Sequence, residues 1–362
     1  MEHQVLARKW RPKTFQTLSG QEHVLKALIN ALDKQRLHHA YLFTGTRGVG
    51  KTTIARILAK CLNCETGITS TPCGICSACT EIDAGRFMDL IEVDAASRTK
   101  VEDTRELLDN VQYAPTCGRY KIYLIDEVHM LSGHSFNALL KTLEEPPPHV
   151  MFLLATTDPQ KLPVTVLSRC LQFNLKNLSP ERIGQYLEHV LTQEKIPFEQ
   201  KALTQLAYAA QGSMRDALSL LDQAIAFTHH NINVKEIGIM LGSIEKTDIK
   251  KLLQALAEHS PKNLLQTSHE LAESGADFSH VLEELLSALH QIAIIQLVPD
   301  SYSESDYEQE DIQTLAKLFT PEDIQLYYQI GLTGRRDLNI IQHAKNGFEM
   351  TLLRMLAFKP FD

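Results

Sequence analysis

One stretch of eight residues constrains this chain more than any other. Gly45 to Thr52 reads Gly-Thr-Arg-Gly-Val-Gly-Lys-Thr and fits the pattern G-x-x-x-x-G-K-[ST] without a mismatch. A strand candidate, Tyr41 to Thr44, precedes it, and a helix candidate, Thr52 to Leu62, follows it. In that context the glycines let successive N–H groups point at phosphate oxygens, at the positive end of the helix dipole. The sequence therefore predicts an ATP site.

The predicted roles inside this loop follow from side-chain chemistry. Lys51 would reach the terminal phosphates, and the Thr52 hydroxyl would hold magnesium. A glycine-rich turn between a strand and a helix is the alternative, but a turn alone does not call for Gly-Lys-Thr. The residues predicted to contact the nucleotide here are Gly45, Thr46, Arg47, Gly48, Val49, Gly50, Lys51, Thr52 and Thr53.

An ATPase also needs acids at the end of a neighbouring strand, and Ile122 to Glu127 supplies two. We expect Asp126 to orient magnesium through its water shell and Glu127 to polarise the attacking water as general base. Asp94 also ends an apolar strand candidate and is the competing acid. We prefer the pair because one acid can serve the metal and the other the water, which leaves Asp94 as a cap or turn acid.

Apolar strand candidates alternate with helical patterns through the first half of the chain, which is typical of a parallel sheet covered by helices. After the first strand they are Met88 to Val93, Lys121 to Ile125, Val150 to Ala155 and Leu171 to Phe173. The predicted fold class is therefore α/β, a three-layer domain with the ligand at the carboxyl edge of its sheet. Beyond residue 179 only amphipathic helix patterns remain, so we expect domains at 1–179, 180–243 and 244–362.

Composition narrows the function classes. Hydrophobic residues at 44% and charged residues at 22% are ordinary values for a soluble globular protein of 362 residues. A net charge of −8 argues against nucleic-acid binding over the whole surface but allows a local basic patch. The chain has neither a secretory signal nor an apolar run near the roughly 18 residues of a membrane span, so we expect a cytoplasmic protein.

Five of the seven cysteines lie between Cys61 and Cys79. In a reducing compartment this cluster favours metal binding over disulfides. Cys64, Cys73, Cys76 and Cys79 have the spacing of a closed, tetrahedral structural zinc site, in an insertion at about 61–82. Cys61, one helical turn before Cys64, is the rival first ligand.

Several single residues stay ambiguous on sequence alone. The basic and aromatic segment around Trp10 and Arg11 could line a base pocket or pack the only tryptophan against the first domain. Thr157 ends a strand, where it could sense the γ-phosphate or act as a cap. Arg169 and Arg215 could be functional or merely solvated. Four residues on two helix candidates could contact DNA phosphates or be solvated. They are Arg98, Thr99 and Lys100, near the start of one candidate, and Lys141 on the other.

Taken together, these motifs closely resemble the gamma/tau subunits of bacterial DNA polymerase III, which are the ATPases of the sliding-clamp loader in the AAA+ class. The resemblance covers essentially the whole chain. The motifs that carry it are Ala7-Arg8-Lys9-Trp10-Arg11-Pro12, Gly45 to Thr52, the four cysteines, Asp94-Ala95-Ala96-Ser97, Asp126-Glu127-Val128-His129, Glu144-Glu145-Pro146-Pro147 and Ser168-Arg169-Cys170.

The resemblance implies more than the spacing does. It implies a pentamer of this chain and related subunits, with ATP between neighbours and Arg169 as the arginine finger that reaches the neighbour's γ-phosphate. Arg215 becomes the second sensor in a lid, and residues 244–362 become the oligomerisation collar. It favours Arg98, Thr99, Lys100 and Lys141 as contacts to primer-template DNA, with the sliding clamp as a partner. Longer family members also hold the polymerase core and the helicase.

The expected function is therefore ATP-driven opening and loading of a sliding clamp during DNA replication. A branch-migration helicase is the alternative within the enzyme class, but the four-cysteine insertion and the Ser-Arg-Cys motif speak against it. A scaffold that holds ATP without turnover is the alternative from another class. The presence of Lys51, Asp126 and Glu127 disfavours such a dead site.

Overall fold

The computed structural model describes residues 5–96, 110–241, 246–298, 309–338 and 340–358. The chain divides into two compact units, Met1–Ile237 and Gly238–Asp362. The first unit contains a parallel sheet, and the second is built from helices. In the described ranges, no helix is both long and apolar enough to cross a membrane.

In the part of the first unit that the structure describes, five parallel strands form the sheet, in the spatial order β2-β3-β4-β1-β5. Their bounds are β1 Ala40–Thr44, β2 Leu90–Asp94, β3 Lys121–Asp126, β4 Val150–Thr156 and β5 Leu171–Asn174. Strands β1 and β3 flank β4, and parallel strands end at the same edge of a sheet. The segments that follow β1 and β3 therefore meet across the end of β4.

The helices of the first unit connect these strands and continue beyond them. They are α1 Leu6–Lys9, α2 Glu22–Asp33, α3 Lys51–Asn63, α4 Ser77–Ala84, α5 Gly133–Glu144, α6 Val164–Leu167, α7 Pro180–Glu194, α8 Gln200–Ala209, α9 Met214–Phe227 and α10 Val234–Leu241. Single 3-10 turns occur at Phe15–Thr17, Asn110–Gln112, Val128–Met130 and Pro159–Lys161. Helix α10 crosses the boundary between the two compact units.

The sheet is buried on both faces because alternate residues of each strand point to opposite sides. Tyr41 and Phe43 of β1 belong to one apolar cluster with helices α2 and α3. Ala40 and Leu42 belong to the other, with Phe136 of α5. The result is three layers, with helices on both faces of the sheet.

In its described residues, the second unit packs six helices around one apolar core. They are α11 Lys246–Ala257, α12 Pro261–Glu273, α13 Phe278–Leu297, α14 Gln309–Ala316, α15 Pro321–Leu338 and α16 Ala344–Ala357. Helices α15 and α16 approach each other closely at Gly334, where an added Cβ would lie 2.4 Å from the Thr351 hydroxyl.

The predicted fold class, a three-layer α/β domain followed by helical regions, is confirmed. The predicted second strand, Met88 to Val93, begins too early, because Met88 is 70% exposed and β2 begins at Leu90. The division at residues 179 and 243 remains a prediction.

A buried carboxylate fixes the segment that leads into β3. Asp89 is 2% exposed and accepts backbone N–H bonds from Thr116 (2.7 Å), Cys117 (2.7 Å) and Gly118 (2.5 Å). Burial disfavours its charged form, but these three donors outweigh burial and hold the pKa of Asp89 below its usual range.

We expect Asp89→Asn to lower the free energy of unfolding of the first unit by about 2 kcal/mol at pH 7, because an amide NH₂ group would face N–H donors. Since the folded-state pKa is depressed, this contribution is present above the unfolded-state value of about 3.9 and is lost as pH falls through the folded-state value. Urea denaturation of both proteins at pH 7 and near pH 3 measures it. Exposed Asp33→Asn is the matched control. A gap between wild type and Asp89→Asn that is equal at both pH values would contradict this account.

Candidate active site

The Gly45–Thr52 loop lies at the carboxyl edge of the sheet, between β1 and helix α3. Gly50 precedes the helix with φ +102°, a left-handed value that favours glycine. Lys51 is 6% exposed, and its Nζ donates to the carbonyls of Gly45 and Thr46, both at 2.8 Å. Burial lowers the pKa of Lys51, while Glu127 and Asp126 oppose the shift. This desolvated ammonium group is suited to an anionic ligand.

The loop and the end of β3 are joined by one short hydrogen bond. Thr52 Oγ1 donates to Asp126 Oδ2 at 2.7 Å, so the two side chains predicted to serve magnesium are adjacent. A hydroxyl and a carboxylate oxygen are donors that magnesium accepts, so the pair fits such an ion. Asp94, the competing acid, accepts the Ala96 N–H at 3.0 Å in a turn.

Glu127 has a left-handed backbone with φ +49°, an uncommon conformation for a non-glycine residue. Its carboxylate accepts hydrogen bonds from Thr157 N (3.0 Å) and Thr157 Oγ1 (2.8 Å). His129 Nδ1 lies 3.4 Å from the same carboxylate and 2.8 Å from Thr156 Oγ1. Hydrogen bonds therefore hold the Glu127 carboxylate at the end of β4. His129 comes two residues after Glu127, but the sequence alone does not predict this contact.

A cavity of about 890 Å³ lies above the loop, between the N-terminal segment and helix α9. Its lining includes Arg47, Gly48, Val49, Gly50, Lys51, Thr52 and Thr53, together with Arg11, Asp126, Glu127 and Arg215. Burial lowers the pKa of Arg11, and the positive charges of Arg56 and Arg215 lower it further. Bound anionic groups would offset this repulsion, so the cavity has the size and charge for a polyphosphate ligand.

Helix α9 begins directly over the loop. A Cβ on Gly48 would lie 1.8 Å from Ser213 Oγ, so only glycine allows this approach. Ser213 Oγ caps the helix by accepting the Asp216 N–H at 3.2 Å. The Arg215 N–H points at the Gly48 carbonyl at 3.4 Å. Arg215 is thus in the first turn of a helix whose positive end faces the cavity.

Arg169 lies outside this cavity. Its guanidinium donates to Glu144 Oε1 and to the Thr165 carbonyl, each at 2.8 Å. The predicted DNA contact Lys141 is exposed on the same helix as Glu144, α5. The other three predicted DNA contacts, Arg98, Thr99 and Lys100, lie outside the described residues.

Four cysteine sulfurs form a compact cluster at the end of helix α3. The Sγ atoms of Cys64, Cys73, Cys76 and Cys79 all lie within 4.8 Å of one another, and Cys61 is not in the group. Burial raises the pKa of Cys61 to about 12. Burial also acts on Cys64, but hydrogen bonds from Cys73 and Thr66 lower its pKa to about 6. Four sulfur donors so close together fit a tetrahedral zinc ion.

Three family models cover nearly the whole chain. "DNA polymerase III, delta subunit" matches residues 20–179. "DNA polymerase III clamp loader subunit, ATPase lid domain" matches residues 182–230. "DNA polymerase III subunits gamma and tau domain III" matches residues 232–361.

Relatives with similar sequences agree. The chain is 59% identical over 361 residues to DNA polymerase III subunit tau of Escherichia coli, covering 99% of this chain and 56% of that protein. It therefore spans about half the length of that relative. It is 48% identical over 366 residues to DNA polymerase III subunit gamma of Buchnera aphidicola from Baizongia pistaciae, covering 99% of both.

Among solved structures, the RuvB Holliday junction branch migration motor of Thermotoga maritima is 21% identical, with a TM-score of 0.48 over 74% of this chain and 86% of that one. That likeness is too distant to bear on function. The matches along the full length of a gamma subunit do identify the family: this chain belongs to the gamma/tau subunits of DNA polymerase III.

Proposed function

We propose that this chain is an AAA+ ATPase subunit of a clamp loader in the bacterial cytoplasm, where ATP binding and hydrolysis load a sliding clamp onto primed DNA. The observation that carries the proposal is the contact between Thr52 and Asp126, beside a buried lysine in a phosphate-binding loop. The family to which the chain belongs supplies the assembly in which such a site would work.

In this proposal each residue of the site has one task. Lys51 neutralises the terminal phosphates, and the loop N–H groups orient them. Thr52 and Asp126 would hold magnesium, which supplies charge neutralisation at the phosphates when it is bound. Glu127 accepts a proton from the attacking water, and Thr157 holds that carboxylate in place and senses the γ-phosphate.

The site needs a further positive charge from a neighbouring subunit. Arg169 lies outside the cavity of its own chain. In a pentamer it would exchange its bond to Glu144 for a contact with the γ-phosphate bound by the next chain. Arg215, on the first turn of helix α9, reports the occupancy of the site to the helices that follow residue 179. Residues 244–362 would form the collar that joins the subunits.

DNA and the clamp are the proposed macromolecular partners. Lys141 is exposed, and together with Arg98, Thr99 and Lys100 it would contact the backbone of primer-template DNA by charge and hydrogen bonding. Because affinity for clamp and DNA must differ between nucleotide states for ATP to drive loading, hydrolysis would release both. A longer natural chain would add the polymerase core and the helicase as partners.

We expect Lys51→Ala to reduce ATP turnover about a hundredfold or more, because the variant loses the charge that stabilises the phosphates in the transition state. The assay is ATP hydrolysis by the reconstituted loader, with and without clamp and primed DNA. Exposed Lys34→Ala is the matched control. Unchanged turnover in Lys51→Ala, in a variant that melts like wild type, would overturn the assignment of this site.

The hydrolysis assay, together with measurements of ATP binding and of strand separation, distinguishes the rival functions. Stimulation of wild-type turnover by clamp and primed DNA supports clamp loading. ATP binding without any turnover would favour a scaffold. Strand separation by the purified chain would favour a branch-migration helicase.

We further propose that the four-cysteine cluster holds one structural zinc ion. With four thiolates bound, the ion has no open position and takes no part in hydrolysis. A closed site of this kind would stabilise the 61–82 insertion and the end of helix α3, where Cys64 follows the last helical residue.

Removing a ligand tests the zinc proposal. We expect Cys64→Ala to lose the zinc, while Cys61→Ala keeps about one ion per chain, because the Cys61 sulfur is outside the cluster. Inductively coupled plasma mass spectrometry of the purified full chains measures the metal. About one zinc ion per chain in Cys64→Ala would show that Cys64 is not a ligand, and loss of zinc in Cys61→Ala would contradict the exclusion of Cys61.

A further inference from the structure

The residues from Leu6 to Arg11, which we call the N-terminal strap, are fastened to helices α7 and α9. The Leu6 N–H donates to Asp222 Oδ2 of α9 at 2.8 Å. The Tyr186 hydroxyl of α7 donates to the Trp10 carbonyl at 2.8 Å. These bonds tie together parts of the first unit that are far apart in sequence.

Glu194 makes the densest set of contacts with the strap. Trp10 Nε1 donates to its Oε1 at 2.8 Å, and Lys9 Nζ lies 2.6 Å from the same oxygen. The Trp10 ring also packs edge-on against His189, with ring centroids 5.7 Å apart. Glu194 is the last residue of α7, where the helix dipole disfavours a carboxylate. The hydrogen bonds from Lys9 and Trp10 offset that unfavourable placement and hold the pKa of Glu194 below its usual range.

The strap also lines the cavity described above. Trp10 and Arg11 both line it, and the guanidinium of Arg11 lies among the charges of Arg56, Arg215 and Asp126. Only one peptide bond separates Trp10, which is held by helix α7, from Arg11. A displacement of α7 would therefore move a wall of the cavity.

We propose that Glu194, Tyr186 and Asp222 are positioning residues for nucleotide binding, which act by holding the N-terminal strap so that Trp10 and Arg11 complete the pocket. The inference rests on the proposed function and adds a coupling to it. Nucleotide binding and the attachment of the strap to helices α7 and α9 favour each other, because a nucleotide in the cavity would contact the strap and these helices at the same time.

The chain itself carries the probe, since Trp10 is its only tryptophan. Titrating the full chain with ATP or ADP should change the emission of Trp10, with a midpoint equal to the Kd from isothermal titration calorimetry. Calorimetric binding with no change in Trp10 emission would overturn the proposal.

Two variants test the positioning role. Glu194→Ala should weaken ATP binding about tenfold, which corresponds to about 1.4 kcal/mol, and raise KM in the reconstituted loader with kcat unchanged. Tyr186 itself lines the cavity, and Tyr186→Phe keeps its ring there while removing the hydroxyl that donates to the Trp10 carbonyl. This variant should weaken binding by a smaller factor, about threefold. Glu188→Ala, exposed on the same helix, is the matched control and should bind like wild type.

The outcomes separate this inference from the proposed function. Wild-type affinity in both Glu194→Ala and Tyr186→Phe would overturn the positioning role and leave the ATP site intact. A lower kcat with unchanged KM would also overturn it. If the wild-type chain bound no ATP in the calorimeter, the proposed function would fail first. Circular dichroism melts identify any variant that loses its fold, and Tyr186→Phe then decides the question.

Discussion

The hydrogen bond between Thr52 and Asp126 is the contact on which the rest of the site depends. It forms because β1 and β3 are parallel and flank β4, so the residues after both strands meet at one edge of the sheet. Alternate side chains of β1 are buried in the apolar clusters on opposite faces of the sheet, which holds the strands in that register. A phosphate-binding loop and a pair of acids are thereby brought together from segments separated by 74 positions.

Other elements surround this contact, and each limits what the loop can bind. Helix α9 approaches so closely that position 48 must be glycine, and it presents its positive end to the cavity. The strap brings Arg11 beside Arg215, which crowds cations where phosphates would bind. Helix α3 begins at the loop and ends beside the cysteine cluster, so one rigid element joins both sites.

Much of this was predictable because the patterns are local. The loop, the two acids at the end of β3 and the spaced cysteines are each contained in a short stretch of sequence, and short apolar runs predicted the strands. Contacts between distant segments were not predictable. The bond from Trp10 to Glu194 spans 184 positions, and the pairing of Arg169 with Glu144 depends on how α5 and α6 pack. For the N-terminal segment, composition alone allows either a base pocket or packing of Trp10 against the first domain. In the structure Trp10 packs edge-on against His189 of α7, and both Trp10 and Arg11 line the cavity.

The central claim is that each chain supplies one half of an ATP site and that the neighbour's Arg169 supplies the other. Single-turnover ATP hydrolysis by a loader assembled with Arg169→Ala, alongside calorimetric ATP binding by the variant chain, tests it most directly. The account predicts unchanged ATP affinity of the chain and a hydrolysis rate lower by roughly 10³-fold or more. Hydrolysis near the wild-type rate, or loss of ATP binding by the isolated variant, would contradict it.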